Sequence, residues 1–179
     1  MTPKEEMQEA YNFWVYHWWI FHHAKHGNID YSKMSRKFNL QDERRIVTFE
    51  IKEAYSPIET EQFAKNTVIA MTGAVFTILN SAMDTIFDPK EKNEAVQTTG
   101  LIAARIIVFQ IRNAYAHNPI NPKWHITNSC HLKMFGIPEI NITVDFKKLN
   151  EKDLKFSHIN GVTGLTELLK YCLASVKDG

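Results

Sequence analysis

The sequence predicts a mainly α protein, an antiparallel helical bundle with a small C-terminal β-hairpin and a short final helix. Three observations predict it. Long stretches carry apolar residues at intervals of three and four, the spacing that gathers them on one face of a helix. Breaking residues cut those stretches at Gly27-Asn28, Pro57, Asp88-Pro89 and Asn118-Pro119. Alternation of period two appears late in the chain, where Ile140, Ile142, Val144 and Phe146 interleave with Asn141, Thr143 and Asp145.

The first helix is expected from Pro3 to about His26, capped by Thr2, opened by Pro3 and ended by Gly27. Its run from Phe13 to Phe21 is apolar nearly all round, which calls for burial on more than one side or a face shared with a second copy. A polar connection with a short segment, Tyr31 to Phe38, leads to a helix read over Asp42 to Tyr55 and stopped by Pro57. The third helix is read from about Glu59 to Phe87, striped by Val68, Met71, Val75, Leu79, Ala82 and Ile86. The fourth is read as one helix from about Glu91 to His117, ended by Asn118-Pro119. Beyond it, the strand at Pro138 to Phe146 is expected to pair with Leu154 to His158, and a last helix is expected from Thr163 to Val176. At 179 residues the chain fits one domain, with 1–122 as the bundle and 123–179 as an appendage packed on it.

Composition is that of a globular protein, with 44% hydrophobic and 23% charged residues, which excludes whole-chain disorder. Two cysteines, Cys130 and Cys172, form no CxxC pair and no disulfide framework, as suits a reducing compartment. The start lacks a basic segment and a cleavage site, and the run Phe13 to Phe21 is far short of the ~20 residues that span a bilayer. A cytoplasmic protein without a membrane partner is therefore expected. The net charge of +1 supplies no global field for nucleic acid, yet no Asp or Glu occurs from Ala95 to Pro138. That window holds Arg105, Arg112, His117, Lys123, His125, His131 and Lys133, and so favours an anion locally. Burial of much of the window accounts for the pattern equally well.

The residues with the most chemistry lie within it, at Arg112-Asn113-Ala114-Tyr115-Ala116-His117. Arginine is a permanent cation with a planar fork of donors, and histidine exchanges protons near neutral pH. On an unbroken helix the two are roughly 140° apart, so their side chains converge only if the last turn loosens or a second copy completes the site. Tyr115 inside the motif and Lys123 and Trp124 just beyond it are candidate substrate contacts, although a tryptophan that anchors a loop is the commoner case. Elsewhere, His22 and His26 have the i, i+4 spacing of a helical metal pair but lack an HExxH glutamate and are read as complements of the helix dipole, so no metal site is expected. Cys130 beside His131 is a weak nucleophile candidate. Trp14, Trp18 and Trp19 are read as core or interface and not as a base-stacking platform.

Arg112, the polar Asn113 and His117, with four residues between arginine and histidine, resemble the R-x(4–6)-H signature of the HEPN superfamily (higher eukaryotes and prokaryotes nucleotide-binding domains). The match covers three residues, and the helical likeness covers about two-thirds of the chain. The resemblance implies a compact helical bundle that dimerises and a metal-independent endoribonuclease without cofactor. It implies that His117 is the general base on a ribose 2′-OH or the acid to the leaving oxygen, that Arg112 holds the scissile phosphate, and that Asn113 orients either. The product would be a 2′,3′-cyclic phosphate, and the substrate RNA, because the 2′-OH attacks. The setting would be toxin–antitoxin or phage defence, with an antitoxin or other protein partner admitted. Pro119 stands where such toxins often have tyrosine, so that mode of control is not implied. The alternative is a non-catalytic HEPN-like module that binds nucleotide, RNA or protein.

Overall fold

The computed structural model describes residues 1–29, 37–42, 45–50, 57–95 and 99–176. The chain is mainly helical. In order it forms α1 (Pro3–Lys25), β1 (Lys37–Asp42), β2 (Arg45–Glu50), α2 (Pro57–Ile86), α3 (Pro89–Glu94) and α4 (Gly100–His117). Then follow β3 (Met134–Ile137), β4 (Ile142–Asp145), α5 (Phe146–Leu149) and α6 (Gly161–Ala174), with 3₁₀ turns at Ser129–His131, Pro138–Ile140 and Phe156–Ile159. Two compact units result, one of Met1–Tyr16 with Ile69–Gly179 and the other of His17–Val68.

The His17–Val68 unit corrects the helix expected over Asp42 to Tyr55. Residues 45–50 are a strand, paired antiparallel with β1 in the register Lys37↔Glu50, Phe38↔Phe49, Leu40↔Val47 and Asp42↔Arg45. The cause is in the residues: Ile46-Val47-Thr48-Phe49 is a β-branched and aromatic run, which fits a pleated surface better than a helix. The remainders of the two expected segments, 31–36, 43–44 and 51–55, lie outside the described residues. Pro57, expected to stop a helix, instead opens α2, where its missing N–H costs nothing. At the end of α1 the His22 and His26 rings stack at 4.3 Å with an interplanar angle of 27°. Among the described residues no group of three or more His, Cys, Asp or Glu is arranged to hold a metal.

The larger unit holds the bundle and its core. Met7, Ala10 and Trp14 of α1 are buried, as are Val75, Phe76, Leu79, Ala82 and Met83 of α2. Helix α6 adds Leu165, Leu168, Leu169 and Cys172. Helix α4 is central, with six consecutive buried residues from Ala103 to Val108, so neighbours cover more than one of its faces. It runs antiparallel to α2: Gly73 meets Tyr115, and one end further along Asp84 meets Arg105. At Gly73 a Cβ would lie 2.7 Å from the Tyr115 Cβ, so only glycine lets these helices approach so closely. Gly73→Ala should cost about 1–3 kcal/mol by overpacking, read as a lowered denaturation midpoint. An unchanged midpoint would show that the two helices yield freely there.

By length and composition alone, the Glu61–Ile86 segment of α2 is apolar enough to cross a bilayer. It does not stand out in the sequence because Glu61, Lys65, Asn80 and Asp84 interrupt it. Its residues Val75, Phe76, Leu79 and Met83 are at most 1% exposed, while 39% of the apolar stretch as a whole is buried.

Two further expectations are corrected. The single helix from Glu91 to His117 is broken. Helix α3 ends at Ala95 in the left-handed conformation (φ 49°), and α4 starts afresh where the Thr99 side chain accepts from the Ile102 N–H at 3.3 Å. Thr99-Gly100 is a legible cap signal, a hydroxyl just before a helical run. The C-terminal strand is β4, Ile142–Asp145, and its partner is β3 and not Leu154 to His158. Pro138–Ile140 makes a 3₁₀ turn closed by Asn141 at φ 51°, so the strand begins four residues later than the alternation suggests. Leu154 pairs elsewhere: its N–H donates to the Pro122 carbonyl at 2.8 Å.

Candidate functional site

Helix α4 delivers Arg112, Asn113 and His117 to one end of the bundle, and the residues after it fix where the helix stops. Asn118 is extended (φ −152°), as a residue before proline prefers. Its Oδ1 accepts from the N–H groups of Ile120 at 3.1 Å and Asn121 at 2.9 Å, which turns the chain away. The helix is therefore intact through His117, and the loosened last turn considered from sequence does not occur.

The guanidinium itself turns towards the neighbouring amide. Arg112 Nη1 donates to Asn113 Oδ1 at 3.0 Å, which draws the charged end of the arginine around the helix onto its neighbour. Asn113 and His117 are four residues apart, roughly 40° apart in projection, with Cβ atoms about 5–6 Å from each other. One amide thus joins the cation to the face that carries the exposed imidazole.

The two arginines of α4 behave oppositely, although they lie two turns apart on one stripe. Arg105 is 1% exposed and neutralised. Its Nη1 donates to Glu91 Oε2 at 3.2 Å and its Nη2 to the Asp88 carbonyl at 2.9 Å, with Asp84 at 3.7 Å. Arg105 is a structural cation. Arg112 is half-buried, its partner is a neutral amide, and no carboxylate among the described residues lies within ion-pair distance of it. The acid-free window is thus only partly acid-free in space, and Arg112 is where it remains so.

The loop after α4 brings a second histidine. His117 and His125 meet edge to face, with ring centroids 5.6 Å apart and planes at 84°. His125 Nδ1 lies 2.6 Å from Glu151 Oε1. Backbone pairing holds that contact: Trp124 N–H donates to the Lys152 carbonyl at 2.9 Å, and Glu151 N–H donates to the Trp124 carbonyl at 2.8 Å. Glu151 itself sits at φ 62°, in a tight turn. Beyond it lies an open depression lined by Glu151, Lys152, Asp153, Lys155 and His158. Sequence reasoning noted His125 only as part of the acid-free window and missed Glu151. Their 26-residue separation carries no periodic signal, and only the pairing of 122–124 with 151–154 brings them together.

Of the three candidate substrate contacts, two face inward. Tyr115 is 4% exposed and hydrogen-bonded to Thr72, and burial pushes its phenol up to about 12, so it stays protonated near neutrality. Trp124 is fully buried against Phe146 at 5.3 Å, and its Nε1 donates to His158 Nδ1 at 3.0 Å. Both hold the site's framework and leave no surface for a ligand. Lys123 is exposed and 3.9 Å from Asp153, a surface pair of the kind worth about 0–1 kcal/mol, so its ammonium can leave for a phosphate.

Two other histidines support this region in their neutral form. Buried His131 donates from Nε2 to the Lys92 carbonyl at 2.8 Å, which leaves Nδ1 to accept from Gln110 Nε2 at 2.8 Å. His158 Nδ1 must accept, because indole nitrogen only donates. Burial is the largest cause holding both below the usual histidine value, with nearby lysines adding to it. Between those lowered values and the unfolded value of about 6.5, the unfolded chain binds more protons. Stability is therefore full above about pH 6.5 and declines as pH falls below it. Denaturant midpoints between pH 8 and 5 should show that decline, and His131→Phe should flatten it. A midpoint that rises on acidification would contradict the assignment.

Compared with known protein families, characterised proteins and solved structures, the chain matches none.

Proposed function

We propose that this protein is a metal-independent endoribonuclease of HEPN type, which cleaves RNA through the ribose 2′-OH and leaves 2′,3′-cyclic phosphate ends. One observation carries the reading: the Arg112 guanidinium, without a carboxylate partner among the described residues, is held by Asn113 one turn from an exposed His117. Such a cation binds a phosphate through paired, charge-assisted hydrogen bonds. The C-terminal carbonyls of α4 work against an anion by about 0.3–1 kcal/mol. A hydrogen bond to a charged group contributes about 1.5–3 kcal/mol, so the arginine prevails. His117 is the proton-transfer group, and Lys123, Lys152 and Lys155 border the path of the flanking phosphates.

The reading includes a homodimer, for which Phe13, Val15 and Tyr16 of α1, 44–56% exposed, offer apolar surface to a second copy. It places the enzyme in the cytoplasm, in a toxin–antitoxin or defence setting. The test is RNA cleavage with chelator present, by wild type, Arg112→Ala and His117→Ala. Cleavage lost in both folded variants supports the enzyme. RNA bound but never cut by the wild type makes the protein a binding module instead.

A further inference from the structure

We infer that His117 and His125 work as an acid–base pair within one copy of the chain, with Glu151 as the positioning residue for His125; this rests on the ribonuclease reading above. Transesterification at a phosphodiester needs two proton transfers on opposite sides of the phosphorus, and one histidine supplies only one of them at a time. The rings of His117 and His125 are 5.6 Å apart and perpendicular, close enough for one phosphodiester to meet both. Both side chains belong to exposed residues, so a polynucleotide reaches them. The Glu151 carboxylate accepts the Nδ1–H of His125 at 2.6 Å, which fixes the tautomer and leaves Nε2 as the nitrogen that meets the substrate. Glu151 is thereby to His125 what Asn113 is to Arg112, a neighbour that sets direction.

The step balances without a co-reactant. His117 takes the proton of the 2′-OH as the 2′-oxygen bonds to phosphorus. The bond from phosphorus to the 5′-oxygen breaks, and that oxygen leaves with the electron pair and takes a proton from His125. The products are a 2′,3′-cyclic phosphate and a 5′-hydroxyl, and exchange with water restores both rings. Arg112 neutralises the non-bridging oxygens throughout. All five residues lie in the same compact unit.

The test compares an RNA that the wild type cuts with its counterpart carrying sulfur in place of the 5′ bridging oxygen. A thiolate leaves without a proton, so it needs no acid. His125→Ala should lose about 10²–10⁴-fold on the oxygen substrate and recover most of that on the sulfur one, whereas His117→Ala stays slow on both. Glu151→Gln, which keeps the shape but not the charge, should lower kcat and leave KM unchanged. His125→Ala cutting the oxygen substrate at the wild-type rate, with His117→Ala inactive, would overturn the pair and leave the ribonuclease reading intact. Failure of the folded wild type to cut any RNA would overturn both. Circular dichroism of each variant separates loss of activity from loss of fold.

Discussion

Arg112→Ala should lower kcat for RNA cleavage by about 10²–10³-fold, the usual loss when a preorganised donor to developing charge is removed. Arg112→Lys should recover little of it. Lysine is a point charge and lacks the planar fork needed to hold Asn113 Oδ1 and two phosphate oxygens together. Asn113→Ala should fall between wild type and Arg112→Ala, because the cation remains but is no longer held by the amide. Kinetics separate these cases: the arginine variants lose kcat, while loss of the amide shows mainly in how productively the phosphate is seated. A wild-type rate for Arg112→Lys would mean that charge alone matters there and that the Asn113 contact is incidental.

Removal of Asp84 should produce the largest loss of stability. Its carboxylate accepts from Lys92 Nζ at 2.8 and 2.7 Å and from Asn80 Nδ2 at 3.0 Å, and it lies 3.7 Å from Arg105 Nη2. The Lys92 and Arg105 side chains are 3% and 1% exposed, whereas that of Asp84 is 28% exposed. The two cations are therefore the groups that cannot turn to water. Burial pulls Lys92 below its usual value, and the Asp84 carboxylate is what opposes that shift. Asp84→Ala leaves two buried cations with less compensation, a change that costs about 3–5 kcal/mol. Lys92→Met should cost much less. Methionine fills similar space over the Phe109 ring, and Asp84 keeps Arg105 and partial contact with water. Urea denaturation of the two variants reads the asymmetry directly. Equal losses would show that the pair, and not the desolvated cations, sets the energy.

The sequence revealed those features that depend on local patterns. The three-and-four spacing of Val75, Leu79 and Ala82 marked a buried helix face, and Asn118-Pro119 marked the end of α4 to the residue. Local patterns failed where two signals competed. Thr99-Gly100 restarts a helix inside a run that reads as continuous, and Ile46 to Phe49 is a strand within a segment read as helical. The motif itself was legible as a list of residues but not as a site. Helix periodicity sets Arg112 and His117 on different faces, and it carries no sign of the rotamer that folds the guanidinium onto Asn113. His125 and Glu151 were beyond reach altogether, because the pairing that unites them joins a loop to a turn. Tyr115 and Trp124 show the opposite error. An aromatic residue near a motif reads as a ligand contact until its burial is known, and here both anchor the backbone that the polar groups stand on.

The most direct measurement is the chemistry of the cut ends. A uniform RNA incubated with the protein and chelator should give fragments bearing 2′,3′-cyclic phosphate and 5′-hydroxyl, resolved by mass, and a 2′-deoxy substitution at the cleaved position should abolish the cut. Fragments with 3′-hydroxyl and 5′-phosphate ends, cleavage that survives the 2′-deoxy substitution, or no fragments from folded wild-type protein would contradict the account.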